Sequence, residues 1–131
     1  MTYSEAKTLA KNFLLGDNSN ANITDLIIQQ SLYEVAMLCE PANLVKQVKC
    51  NEKPDDFFRQ IEECNDKKNM KYLRKPLVLE DDKEIDLDIQ LHPAVVFFIC
   101  SYLSFKNKDY YEQKANNIIA IYKSNQSVIN N

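Results

Sequence analysis

The chain has 131 residues, 45% of them hydrophobic and 27% charged, with a formal net charge of -3. That length fits one domain, able to bury roughly 68% of the surface its unfolded form exposes; the composition is globular rather than disordered, and the acidic balance does not support a uniformly basic nucleic-acid binder. A single glycine, Gly16, excludes phosphate cradles, nucleophile elbows and dinucleotide turns, all of which need glycine for close backbone approach, and argues against a fold with many tight hairpins.

Thr2 followed by Glu5 is a capping-box pattern. Tyr3, Ala6, Leu9, Ala10, Phe13 and Leu14 repeat at helical spacing, so a first helix is predicted over about 3–15, stopped by Gly16 in a left-handed conformation. After the polar loop 17–22, Asn22 or Thr24 caps a second helix over about 23–39, closed by Pro41. Leu44 to Cys50 reads as a short strand or extended segment. Pro54 with Phe57, Phe58, Ile61 and Cys64 reads as a short helix over about 55–63. Met70 to Leu79 lacks helical period and carries Pro76; it is expected to be extended and to pair with 44–50 as a two-stranded ribbon. An acidic loop, 81–88, leads to His92-Pro93, which opens a strongly apolar helix over about 93–105. That run is too short to span a bilayer. Being apolar nearly all round, it is expected either at the centre of the core or at a subunit interface. Asn107 caps a last helix with an apolar stripe of Tyr111, Ala115, Ile118, Ile119 and Tyr122, and 125–131 is expected to be a polar, flexible tail.

Four features carry residue types that can do chemistry. Glu80, Asp81, Asp82, Glu84, Asp86 and Asp88 place six carboxylates in nine residues, but the glycine and glutamate that a calcium loop needs are not placed here, so the stretch reads as a solvated loop. Lys67, Lys68, Lys71, Arg74 and Lys75 form a basic cluster with Met70, Tyr72 and Leu73 among them. It reads as a solvated loop first, a partner contact or nucleic-acid contact second. The two clusters lie end to end around Pro76, a polarity suited to head-to-tail packing of subunits. His92 has no nucleophile or carboxylate tied to it by a motif and reads as a capping or surface histidine rather than a general base. Cys39, Cys50, Cys64 and Cys100 lack zinc spacing, and Met1 to Gly16 has no apolar signal core; all four are expected to be reduced thiols of an intracellular protein.

The order Lys71-Tyr-Leu-Arg-Lys-Pro76, Asp81-Asp82, Ile85-Asp-Leu-Asp88 and Leu91-His-Pro-Ala-Val95 ahead of an apolar helix resembles small neck proteins of tailed bacteriophages, the head–tail connectors or adaptors that sit as a ring beneath the portal. The tyrosine-rich ending from Asp109 to Tyr122 and the layout around Leu38-Cys-Glu-Pro41 are similar too, so the resemblance covers about 23–124. It implies a helical bundle with a small extended insertion, a ring of about a dozen copies, no enzyme activity and no cofactor. The implied partners are further copies of the chain, the portal protein and a tail or second neck protein, with passive contact with the genomic DNA in the channel and none with a membrane. The protein would be made in the host bacterial cytoplasm and would end in the neck of the virion.

The expectation is therefore a mainly α protein: one domain over 1–124, four to five helices with an extended or β insertion around 44–79, and a tail over 125–131. Lys71, Arg74, Lys75, Pro76, Asp86 and Asp88 are the expected contacts with a neighbouring subunit or the portal. No residue is proposed as catalytic, cofactor-binding or metal-binding. The alternative is a small cytoplasmic protein–protein interaction module, an adaptor or antitoxin-like inhibitor.

Overall fold

A computed structural model describes residues 1–130, with side chains through 127. Four helices run over Tyr3–Phe13 (α1), Asp25–Leu38 (α2), His92–Leu103 (α3) and Lys108–Asn130 (α4). Between α2 and α3 lie three strands, Val45–Lys49 (β1), Phe57–Glu62 (β2) and Asn69–Arg74 (β3), forming an antiparallel sheet in the order β1-β3-β2. The architecture is thus α+β, which corrects the expectation of a mainly helical bundle.

The helix starts follow local chemistry. Thr2 and Glu5 make both bonds of the capping box, Glu5 N to Thr2 Oγ1 at 3.1 Å and Thr2 N to Glu5 Oε1 at 3.0 Å. Thr24 caps α2 by accepting from Ile27 N. Gly16 has φ of +78°, a left-handed turn that a residue with a Cβ enters only under strain. Helix α3 is the centre: Ala94, Val95, Val96, Phe98, Ile99 and Cys100 are buried, with α1, α2 and α4 packed around it. Enclosure by its own chain thus accounts for a helix that is apolar all round. Ser31 Oγ on α2 donates to Val95 O at 3.1 Å, satisfying its one polar group inside this contact.

The sheet region departs from the local expectations. The segment 55–63 is a strand, not a helix. Its register against β3 pairs Phe57 with Arg74, Arg59 with Leu73, Gln60 with Tyr72 and Glu62 with Lys71, leaving Phe58 and Ile61 as extra residues in two bulges. Bulged positions three apart reproduce the apolar spacing of a helix; both side chains pack against the core. The expected two-stranded ribbon exists as the β1–β3 pair, Val45 opposite Leu73 through Lys49 opposite Asn69, but β3 ends at Arg74 ahead of Pro76 and β2 takes its other edge. Over the expected tail, 125–131, helix α4 continues to Asn130, and Gln126 Nε2 donates to Glu40 O at 3.0 Å; Asn131 lies outside the described residues.

Candidate functional site

The segment 75–91 is where the expected interface residues gather, and the fold organises it from two sides. The N-terminal residues pair with it: Tyr3 N donates to Lys83 O at 3.0 Å, Ser4 N to Asp81 O at 2.9 Å and Ile85 N to Met1 O at 3.0 Å. Lys7 Nζ reaches Asp81 at 2.8 Å and the Met1 amino group reaches Glu84 at 2.6 Å. Carboxylates thereby collect at the start of α1, the end of the helix dipole that favours them. Part of the acidic loop is therefore fastened down, while Glu80 and Asp82 stay exposed.

Arg74 and Asp86 meet as a two-pronged pair, Nη1 to Oδ2 at 2.7 Å and Nη2 to Oδ1 at 2.8 Å, with both side chains mostly buried. Asp86 also accepts from Leu77 N at 2.8 Å, and its own N–H donates to the Tyr3 hydroxyl, which donates in turn to Leu77 O. Burial raises the Tyr3 phenol above its ordinary pKa. Asp88 accepts from Ala42 N at 3.0 Å, Asn43 N at 2.9 Å and the Tyr122 hydroxyl, joining the sheet approach to α4. Tyr122 also accepts from Ala42 N, and its hydroxyl is held protonated well above the usual range by burial and by Asp88. Of the six expected contact residues, Arg74, Asp86 and Asp88 thus have partners within one chain. Pro76 is buried. Lys71 makes only a loose 3.7 Å pair with exposed Glu62. Lys75 is exposed, and its ammonium has no ion-pair partner among the described residues.

An open groove of about 490 Å³ lies beside this network, lined among others by Glu62, Lys71, Asp88, Gln90, Tyr122 and Gln126. Asp88 and Tyr122 bond to each other and both accept from Ala42 N at the edge of this groove. His92 is buried and its ring does not cap α3, correcting the expectation of a capping or surface histidine. Its Nε2 faces Leu87 O at 2.8 Å and so carries the hydrogen, leaving Nδ1 to accept from the Met1 amino group at 3.1 Å. Among the described residues no group of His, Cys, Asp and Glu is arranged to hold a metal ion. No helix among them is long and apolar enough to cross a membrane.

Three features escaped the sequence reading. Arg59 on β2 donates from Nε to Ala36 O and from Nη2 to Cys39 O, both at 2.9 Å, capping the carbonyl end of α2 from the sheet. Asp17, in the polar loop, accepts from the Ser104 hydroxyl, from Phe105 N at 2.9 Å and from Lys106 N at 3.2 Å. Ser104 Oγ in turn accepts from Asn107 N at 2.8 Å, so a serine three residues earlier shares the start of α4 with the expected cap Asn107. Cys50 and Cys64 form a disulfide, with Cα atoms 5.8 Å apart, which corrects the expectation of four thiols. Both stand just past the ends of the parallel edge strands, β1 and β2, where β3 begins; the fold creates this proximity and the spacing in sequence does not display it. Cys39 and Cys100 are free and buried, and burial pushes both thiols up to about 12.

Asp17 also brings two loops together at an apolar corner. Leu15 and Phe105 stand there 66% and 73% exposed, beside the half-exposed Phe13 and Tyr110. The Phe13 ring lies 5.4 Å from Phe97 and 6.2 Å from Tyr111, and Tyr110 packs on Tyr111 at 5.4 Å. Three lysines lie along its rim: Lys106 donates to Gly16 O, Lys108 to Tyr102 O in a hollow it shares with Asp109 and Glu112, and the Lys114 ammonium sits 5.4 Å from the Tyr110 ring centre. In comparisons with known proteins, no family, curated protein or solved structure matched the chain.

Proposed function

We propose that the chain is a structural subunit of a phage neck, a head–tail connector that packs as a ring under the portal. The observation that carries this reading is the exposure of Phe13, Leu15, Phe105 and Tyr110 on and around the loops that Asp17 joins, a concentration of bare apolar side chains that points to a partner. The lysine rim of this corner complements a second exposed surface on the same chain, where Leu77 and Leu79 stand beside Glu80 and Asp82. A corner that is apolar and basic on one copy, set against a segment that is apolar and acidic on the next, makes a head-to-tail contact, the type that closes into rings. Lys71 and Lys75 belong to the outer surface in this reading. Arg74, Pro76, Asp86 and Asp88 serve it by holding the 75–88 segment in shape. The order of motifs between Lys71 and Val95 supplies the phage resemblance.

Mass measurement of the protein alone and with portal protein tests the reading. A high-order ring in either sample is expected, lost in a Leu15→Asp/Phe105→Asp variant that keeps its helical content. No ring in either sample sinks it. The pairing of Arg74 with Asp86 inside one chain favours a second reading, a compact monomeric interaction module, because the charge polarity around Pro76 already has a use in the monomer. A one-to-one complex with a single cellular protein through the aromatic corner would decide for that module.

A further inference from the structure

The Cys50–Cys64 disulfide differs from the chain's other sulfur groups in place and surroundings. Cys64 is exposed and Cys50 half-buried, whereas Cys39 and Cys100 are sealed in the core. The bond clasps the two edge strands across the start of the central one, at the tip of the sheet farthest in sequence register from Arg74. An open hollow of about 700 Å³ is lined by Lys49, Cys50, Asn51, Cys64, Lys67, Lys68 and Asn69. That lining holds three lysines and no acidic residue, while Glu63 and Asp66 flank Cys64 along the chain. The turn that presents them is fixed: Asn65 Oδ1 accepts from Lys67 N and Asn69 N, both at 3.0 Å, Lys68 holds a left-handed φ of 61°, and Cys50 N donates to Lys68 O at 2.8 Å.

We propose that this clasp is a thiol–disulfide exchange site selective for small anionic thiols, the chemical class of glutathione. Exchange begins when a thiolate attacks a disulfide sulfur, and its rate rises when the leaving sulfur is stabilised as an anion. Lysines lining the hollow serve both ends of the step: they concentrate negatively charged thiols there, and their charge stabilises the departing thiolate. The attacking thiolate bonds to Cys64 Sγ, the accessible sulfur. The Cys50–Cys64 bond breaks and Cys50 Sγ departs with the electron pair. A second thiolate then attacks the outer sulfur of the mixed disulfide, releasing Cys64 as a thiolate and the two small thiols as their disulfide. The clasp gains two electrons and the small thiols lose two; the reverse sequence closes it with the oxidised small disulfide as oxidant.

The test compares second-order rates of clasp reduction by 2-mercaptoethanesulfonate, which is anionic, and cysteamine, which is cationic. Each rate is divided by that thiol's rate with the same chain unfolded in urea at matched low salt, which removes intrinsic reactivity. The folded protein should favour the anionic thiol by about fivefold or more, and the preference should collapse in a Lys49→Gln/Lys67→Gln/Lys68→Gln variant and in high salt. Equal normalised rates, or a preference unchanged by the three substitutions, overturns the proposal. So does alkylation of all four cysteines after equilibration of folded protein with oxidised glutathione, since no clasp would then exist.

Discussion

Asp17 is separated by 88 residues from Phe105, whose amide it receives, and one carboxylate closes the corner where α1, α3 and α4 converge. The Ser104 hydroxyl, and after it the Phe105 and Lys106 amides, hold that carboxyl below the usual carboxylate range. A folded-state value below the unfolded one means that the stabilisation is complete above the ordinary carboxylate pKa of about 3.9 and is lost as pH falls through the lowered folded value. Asp17→Asn is therefore expected to destabilise at neutral pH and to match the wild type at the acid end, read by urea melts at a series of pH values. An equal cost at both ends would show that charge is not the cause. Arg74 and Asp86 make a different point at the same scale. Because their two-pronged pair is mostly buried and internal, Arg74→Met should cost about 1.5–3 kcal/mol in a denaturant melt, with no partner present. A melt unchanged by that substitution would return the pair to the free surface.

At the scale of elements, the sheet is an attachment and the helices are the core. Arg59, Phe58 against Tyr33 at 5.0 Å, and buried Leu73 hold the sheet to the helices, while β1 is an exposed edge carrying Lys46 and Lys49, charges that discourage pairing with another chain. The two layers should separate in their response to mutation. Ile99→Ala at the centre of α3 should lower stability by about 2–5 kcal/mol and shift the whole thermal transition. Cys50→Ser/Cys64→Ser, which opens a clasp of sequence separation 14, should cost about 3 kcal/mol at most. Its faster hydrogen exchange should be confined to 45–74, and exchange that speeds equally in α3 would contradict this division. The same division explains what was legible in the sequence. Helices α1, α2, α3 and α4 were readable because each carries its own cap or its own apolar period, as with Thr2, Thr24, Pro93 and the Tyr111–Tyr122 stripe. β2 was not, because its bulges place Phe58 and Ile61 three residues apart. The disulfide, the Arg59 cap and the internal use of Arg74 were not, because each depends on a meeting of segments that no local pattern announces. The aromatic corner is half visible in the sequence: Tyr111 stands in an apolar stripe, while Phe105 and Leu15 stand only at helix ends.

Across the whole molecule, contacts of long reach join the first third of the chain to its second half. Met1 and Tyr3 bond to residues 83–86, Tyr111 donates to Phe13 O at 3.0 Å, and Gln126 closes on Glu40. If the proposed ring forms through the lysine-rimmed corner, added salt should weaken assembly without lowering the monomer's melting temperature, because the exposed charges are screened and the apolar core is not; sedimentation and thermal melts at two salt concentrations would separate the effects. The long reach has a consequence for birth on the ribosome. At roughly 5–20 residues per second, α1 and α2 emerge several seconds before α3, the element that buries their inner faces. Until then Tyr3, Ala6, Ala10, Ile28, Leu32 and Val35 have no core to enter. The nascent chain passes through a sticky interval ended only when α3 is made, and ribosome-bound chains truncated before residue 92 should be protease-sensitive and chaperone-bound where the full-length chain is neither.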